Sequence, residues 1–276
     1  MPKVTRKPRG VMYKAVIQAL FSRRHKRGAR RVPFTSAELA AVAEEVGEDP
    51  ANMPDVLYSF RYRRELPQSI RETAPRGTVW IIRGAGVGKY AFAAVPEDYA
   101  RITPRAGLAE TRIPDATPGV ISKYALTDEQ ALLARVRYNR LIDVFMGLAC
   151  YSLQSHLRTQ VPGVGQVETD EVYVGIDKQG CHYVIPVQAK GGSDKHSIVQ
   201  IEQDFAMCAS KFPNAVCRPV AAQFTEDELI ALVAFDVGSD GAAAIVGEKH
   251  YRLVPPDEVT EADLKRYRAE SARVTA

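Results

Sequence analysis

Residues 165–191 read GQVETDEVYVGIDKQGCHYVIPVQAKG, and four side chains in this stretch could do chemistry together: Glu168, Asp170, Gln188 and Lys190. Carboxylate and amide oxygens are the hard donors that Mg2+ takes, usually one or two carboxylates completed by water and substrate phosphate. A lysine beside such a centre can orient a water and offset the charge that builds on phosphorus during attack. The flanking elements must bring these groups together. Val172, Val174 and Ile176 alternate with Tyr173 and Gly175, which is strand period. Residues 177–180 (DKQG) are hairpin-turn chemistry, and Tyr183, Val184, Ile185 and Val187 form the return strand. Folding the hairpin sets Asp170 beside Gln188 and Lys190, and those two, being two apart on a strand, share a face.

The constellation resembles the PD-(D/E)XK nuclease superfamily, which includes most restriction endonucleases, Holliday-junction resolvases and Mrr-type enzymes. The likeness is carried by Glu168-x-Asp170, the hairpin, Gln188-x-Lys190 and a helix expected over residues 193–212. Two positions depart from the commonest pattern: no proline immediately precedes Asp170, and Gln188 stands in place of glutamate, as it does in some members. The resemblance implies hydrolysis of phosphodiester bonds in double-stranded DNA with Mg2+. It implies Asp170 and Gln188 as metal ligands, Glu168 as a second acid, and Lys190 as water activator and charge stabiliser. A neutral Gln188 shifts metal binding onto Asp170, assisted by Glu168 or Glu171. A homodimer follows from the need to cut two strands, and a restriction enzyme would have a cognate methyltransferase acting on the same site.

Charge is distributed unevenly. The net charge is only +4, yet residues 1–37 contain eleven Lys and Arg, including Arg30 and Arg31, and no acid before Glu38. Such a run reads as a basic arm that follows phosphates. The rest of residues 10–96 supports that reading. Val11, Val16, Ile17, Leu20 and Phe21 make an amphipathic helix, Thr35 with Glu38 caps a second, and a third starts at residues 52–55. The outer face of the third is expected to show Tyr58, Arg61, Tyr62, Arg63 and Arg64. Two strand-like runs, residues 78–82 and 90–95, then flank a glycine-rich turn. Three helices and a hairpin resemble a winged helix-turn-helix, whose third helix enters the major groove and whose wing, here with Arg83 and Lys89, touches the backbone. Residues 84–90 (GAGVGKY) are not a nucleotide-binding loop: Arg83 occupies the position of the first glycine, Tyr90 replaces Ser or Thr, and a strand follows.

Residues 97–126 read as a linker broken by Pro104, Pro114 and Pro118. Residues 127–129 (TDE) are expected to cap a long helix reaching residue 159, with Asp143 its one deep carboxylate. His196 and Gln200 are expected on one face of the helix after the hairpin. Further strands are expected within residues 216–254, and an αβββαβ-like layer follows. Four spaced cysteines without CxxC argue against structural zinc, and no run has membrane-spanning length or leader character. The reading is therefore an α/β (α+β) chain of the prokaryotic cytoplasm. A winged-helix domain spans residues 1–96, a linker 97–126, and a restriction-endonuclease-like mixed sheet flanked by helices 127–276. Its expected activity is that of a sequence-specific endonuclease. Two alternatives remain: a modification-dependent or repair nuclease of the Mrr type, which Gln-x-Lys suits, and a winged-helix transcription regulator without catalysis.

Overall fold

A computed structural model of the chain describes residues 9–124, 129–192, 194–225, 228–239 and 241–274. The protein is mixed α+β and divides into two compact units. The first holds the residues up to 102 together with 158–167 and 197–206; the second holds 103–157, 168–196 and the residues from 207 on.

In chain order the first unit contains α1 (Arg9–Arg24), β1 (Arg31–Thr35), α2 (Ser36–Glu45), α3 (Met53–Tyr58), α4 (Gln68–Arg71), β2 (Thr78–Gly84), β3 (Lys89–Pro96), α5 (Glu97–Ala100) and β4 (Arg101–Ile102). Helix α2 starts where Thr35 and Glu38 lead one to expect. The Glu38 N–H donates to Thr35 Oγ1 at 3.2 Å while the Thr35 N–H donates to the Glu38 carboxylate at 2.8 Å. Two of the helix's orphan donors are thereby satisfied reciprocally. Strands β1, β3 and β2 form an antiparallel sheet in that order. β1 is an addition to the expected three helices and hairpin. Val16, Ile17, Leu20, Leu39, Phe60, Trp80 and Phe92 fill the core between helices and sheet. Helix α3 runs directly into a π-turn over Ser59–Arg63. Such a turn takes an extra residue, so it rotates every side chain beyond it relative to an α-helix.

The second unit begins with β5 (Glu110–Pro114), α6 (Gly119–Tyr124), α7 (Glu129–Tyr138) and α8 (Leu141–Met146). Then come β6 (Ala149–Val161), β7 (Gly165–Ile176), β8 (His182–Gly191), β9 (His196–Ser197) and α9 (Ile198–Lys211), of which residues 158–167 and 197–206 belong to the first unit. The chain continues through β10 (Val216–Cys217), β11 (Val220–Phe224), β12 (Ile230–Val237), β13 (Ala243–Val254) and α10 (Glu261–Val274). The large sheet has the order β5-β13-β12-β11-β8-β7-β6, with β10 pairing alongside β8. β11 is parallel to β8, reached through α9, and β7 is antiparallel to β8. Leu132, Leu133, Val136, Leu141 and Ile142 of α7 and α8 pack on Tyr173, Ile185, Val187 and Ala189 of the sheet. Among the described residues, no helix is long and apolar enough to cross a membrane.

Three expectations change. The helix expected to reach residue 159 ends far earlier. Arg140 and Gly147 adopt left-handed backbone, with φ 50° and 65°, and each closes a helix. Asn139 pins the first break by accepting the Ala116 N–H at 2.7 Å and donating to Thr117 Oγ1 at 2.9 Å. Asp143 accepts the Cys150 N–H at 3.0 Å, so this carboxylate shapes the turn into β6. Residues 149–161 are strand, and the helical spacing of Leu148 and Leu153 is coincidental. The presumed linker supplies β5, which pairs in parallel with β13. Finally, α9 begins at Ile198; Ser193, Thr127 and Asp128 lie outside the described residues.

Backbone approaches backbone closely at Gly84, where an added Cβ would sit 2.4 Å from the Val164 carbonyl oxygen. Gly84→Ala should therefore destabilise the chain by about 1–3 kcal/mol in urea titration. Gly119→Ala, where a Cβ meets open space, should leave the midpoint unchanged.

Candidate metal and nucleic-acid site

The hairpin forms as the sequence indicates. Asp177 closes its turn by accepting the N–H groups of Gln179 and Cys181, both at 2.9 Å. The β7–β8 register runs from Ile176↔His182 to Glu171↔Val187. Beyond it, side chains replace the ladder. The Ala189 N–H donates to Asp170 Oδ2 at 2.8 Å, and Gln188 Nε2 donates to the Glu168 carbonyl at 3.2 Å. Asp170, Gln188 and Glu168 thus gather at the opened end of the hairpin. Lys190 joins them, its Nζ 3.8 Å from the Glu129 carboxylate in the first turn of α7.

Electrostatics set the state of the groups. Burial pushes the Asp170 carboxyl above its ordinary pKa, and Glu129 pushes the same way; the Ala189 N–H, Lys190 and His156 pull it down. His196, expected on a helical face, lies buried in β9 instead, its Nε2–H donating to the Ala222 carbonyl at 3.1 Å. A carbonyl only accepts, so the proton resides on Nε2. Burial first and Lys190 second push the His196 pKa down to about 3. The ring is neutral. Glu171 turns to the opposite face of β7, as alternation requires, where its Oε1 accepts from Arg137 Nε at 2.9 Å and Ser152 Oγ at 2.6 Å. Glu171 therefore takes no part beside Asp170. The acid that does approach Lys190 from the preceding helix is Glu129 rather than Asp143. Its place in the first turn of the helix ahead of the hairpin was the available signal. His156 in β6 carried no such signal, because that segment reads as helix.

The donors at this end are oxygens of Asp170, Glu129 and Gln188, with the Glu168 backbone carbonyl beside them, a hard set that suits Mg2+ and suits softer metals poorly. The Ala189 bond occupies Asp170 Oδ2 and leaves Oδ1 for a cation. The raised pKa shows an anion in want of positive charge. Among the described residues, no three His, Cys, Asp or Glu side chains already form a metal-holding cluster.

The expected DNA-contacting residues divide into two sets. Arg61 and Tyr62 are turned inward by the π-turn. The Tyr62 hydroxyl donates to Gln203 Oε1 at 2.8 Å, and the Arg61 guanidinium lies 5.0 Å from the Tyr62 ring and 5.7 Å from that of Tyr90. Arg83 pairs with Glu202, its Nε donating at 2.8 Å, and the Tyr99 hydroxyl donates to the same carboxylate. Arg30, Arg31, Arg64 and Lys89 stay exposed and form no ion pair among the described residues. Arg63 is exposed too, its guanidinium 5.0 Å from the exposed Tyr58 ring. No protein-family model, curated protein or solved structure matches the chain.

Two pH responses follow. An acid whose folded pKa is raised opposes folding at neutral pH; that opposition fades as pH falls through the folded value and is gone below the unfolded one. Asp170→Asn should thus raise the metal-free melting temperature at neutral pH by on the order of 2 °C, with the gain vanishing below about pH 4. Mg2+ should raise the melting temperature of the wild type and not of the variant. For His196 the folded pKa is depressed, so the unfolded chain gains the proton first. Stability should fall as pH drops from about 6.5 toward 3. In His196→Gln, urea midpoints across that window should fall less steeply, whatever the variant's absolute stability.

Proposed function

We propose that the chain is a Mg2+-dependent endonuclease acting on double-stranded DNA in a prokaryotic cytoplasm. The observation that carries this reading is the opened end of the β7–β8 hairpin, where Asp170, Gln188 and Lys190 converge under Glu129. The order of elements adds support: a helix (α7), three successive strands (β6, β7, β8), the crossover helix α9, and β11 parallel to β8. That is the αβββαβ arrangement that the PD-(D/E)XK resemblance calls for. In the first unit, the sequence α1-β1-α2-α3-β2-β3 and the sheet order β1-β3-β2 favour a winged-helix reader.

The residues divide the work. Asp170 Oδ1 and the Gln188 amide oxygen would hold Mg2+, with Glu168 near enough to assist. When bound, the ion would polarise the scissile phosphate and neutralise its charge. Glu129 keeps the Lys190 ammonium near the opened strand end. From there it orients a water toward phosphorus and opposes the negative charge that grows on the non-bridging oxygens. Water oxygen bonds to phosphorus, the bond to the deoxyribose oxygen breaks, and that oxygen leaves with a proton. Arg30, Arg31, Arg63, Arg64 and Lys89 supply exposed positive charge for the DNA backbone.

Within this class, a restriction enzyme and a methylation-dependent Mrr-type enzyme share the same chemistry, so one assay separates them. Purified protein is incubated with methylated and unmethylated phage DNA, in Mg2+ or EDTA. Discrete Mg2+-dependent fragments are expected. Lys190→Ala and Asp170→Ala should each lower the cleavage rate by roughly 100-fold or more while DNA still shifts on a gel. Arg63→Ala with Arg64→Ala should weaken binding and flatten its salt dependence by about one counterion for each phosphate no longer neutralised. Binding without cleavage on any substrate, unchanged by Lys190→Ala, would replace the nuclease with a winged-helix regulator.

A further inference from the structure

β6 is the terminal strand of the large sheet and thirteen residues long. Its outer backbone groups are a template for another strand, and proteins commonly blunt such edges with lysine, proline or a covering element. Residues 149–155 (ACYSLQS) contain no charge and no proline. Cys150 is buried, but residues 151–156 are all exposed among the described residues, Tyr151 at 62% and Leu153 at 51%. The flat stretch ends at His156, whose φ of 51° kinks the strand.

We infer that this edge is the seam of a homodimer, in which residues 149–155 of two copies pair antiparallel about a two-fold axis at Ser152. The strand's own pattern selects a second copy as occupant. With Ser152 on the axis, Tyr151 of each copy stands opposite Leu153 of the other. Four apolar side chains then meet on one face, the kind of aromatic–aliphatic cross-strand pair that stabilises sheets. The charges agree. In this register His156 falls opposite Leu148, and Arg158 lies beyond the paired segment. A parallel in-register pairing would instead set His156 on His156 and Arg158 on Arg158. Val144 of α8, 53% exposed, adds apolar surface beside the start of the strand, where Asp143 holds the Cys150 N–H. The sheet would continue from one copy into the other.

Sedimentation velocity of the full chain over a wide concentration range tests this directly. The wild type should show a dimer whose fraction rises with concentration. Tyr151→Lys with Leu153→Lys in one chain faces like charges across the seam, and should raise the dissociation constant by roughly tenfold or more. Tyr151→Lys with Leu153→Glu gives each lysine a partner's glutamate, and should keep it within about threefold. Far-UV circular dichroism of both variants establishes that they remain folded. A wild type that stays monomeric overturns the inference. So does a dimer untouched by the two lysines, or one that both variants abolish alike, since the Ser152-centred register demands that they differ. None of these readouts involves cleavage, so they are independent of the nuclease assay.

Discussion

Everything at the candidate site depends on the place where the β7–β8 ladder gives out. Past Glu171↔Val187 each strand lends a side chain to its neighbour's main chain. Asp170 takes the Ala189 N–H and Gln188 donates to the Glu168 carbonyl. A buried backbone donor left without a partner would cost about 1–3 kcal/mol, so these side chains cannot leave without replacement. The same exchange holds the strand ends apart and fixes Asp170 and Gln188 side by side. β8 can part from β7 here because its other edge is occupied: β11 pairs with it in parallel through Gly191. The opening is therefore a property of the sheet and owes nothing to a flexible loop.

Alternation along β7 then assigns opposite duties to adjacent acids. Glu171 points into the layer beneath α7, where its Oε1 accepts from both Arg137 and Ser152. Asp170, one residue earlier, points the other way, where its partners are fewer and its charge is less comfortable. Two carboxylates in sequence thus become a structural anchor and a buried acid facing the opposite way. Interchanging their roles would require a one-residue slip of the strand, which would move Tyr173 and Val172 to the wrong faces as well. The apolar packing of Tyr173 against α7 and α8 is what guarantees that Asp170 faces the opening.

What the sequence disclosed follows from how local each signal was. The hairpin, its DKQG turn and the Thr35–Glu38 cap each depend on a handful of neighbouring residues, and each is found where alternation and capping chemistry put it. Residues 149–161 misled because Leu148 and Leu153 fit a helical period, whereas the decision lay with two left-handed residues, Arg140 and Gly147. Glycine at 147 was a legible stop, but arginine at 140 was not, since the break there is braced by the Asn139 bonds to residues 116 and 117 and by the Arg140–Asp143 ion pair. The outward stripe of Arg61 and Tyr62 failed for a related reason. A π-turn inserts its extra residue invisibly, and only the partners of Tyr62 and Arg61 reveal which way the helix has rotated. The meeting of Glu129 with Lys190 is a tertiary fact that no spacing encodes.

The remaining polar groups explain why such an end would favour a cation and a phosphate arriving together. Burial drives Asp170 and His196 toward their neutral forms from opposite directions, one raised and the other lowered. An environment that resists both signs of charge accepts ions best as compensated sets, because desolvating one alone is far costlier than desolvating a pair. Lys190 illustrates the same rule. At 3.8 Å from Glu129 it makes an ion pair too long for a hydrogen bond, so its ammonium is held nearby without being spent. A phosphate diester brings one negative charge and Mg2+ brings two positive ones. Asp170 and Lys190 add one of each sign, and Glu129 one more negative charge, so the five together sum to neutrality. On the proposed reading, the raised carboxyl and loosely held lysine would be the part of that set that the protein itself supplies.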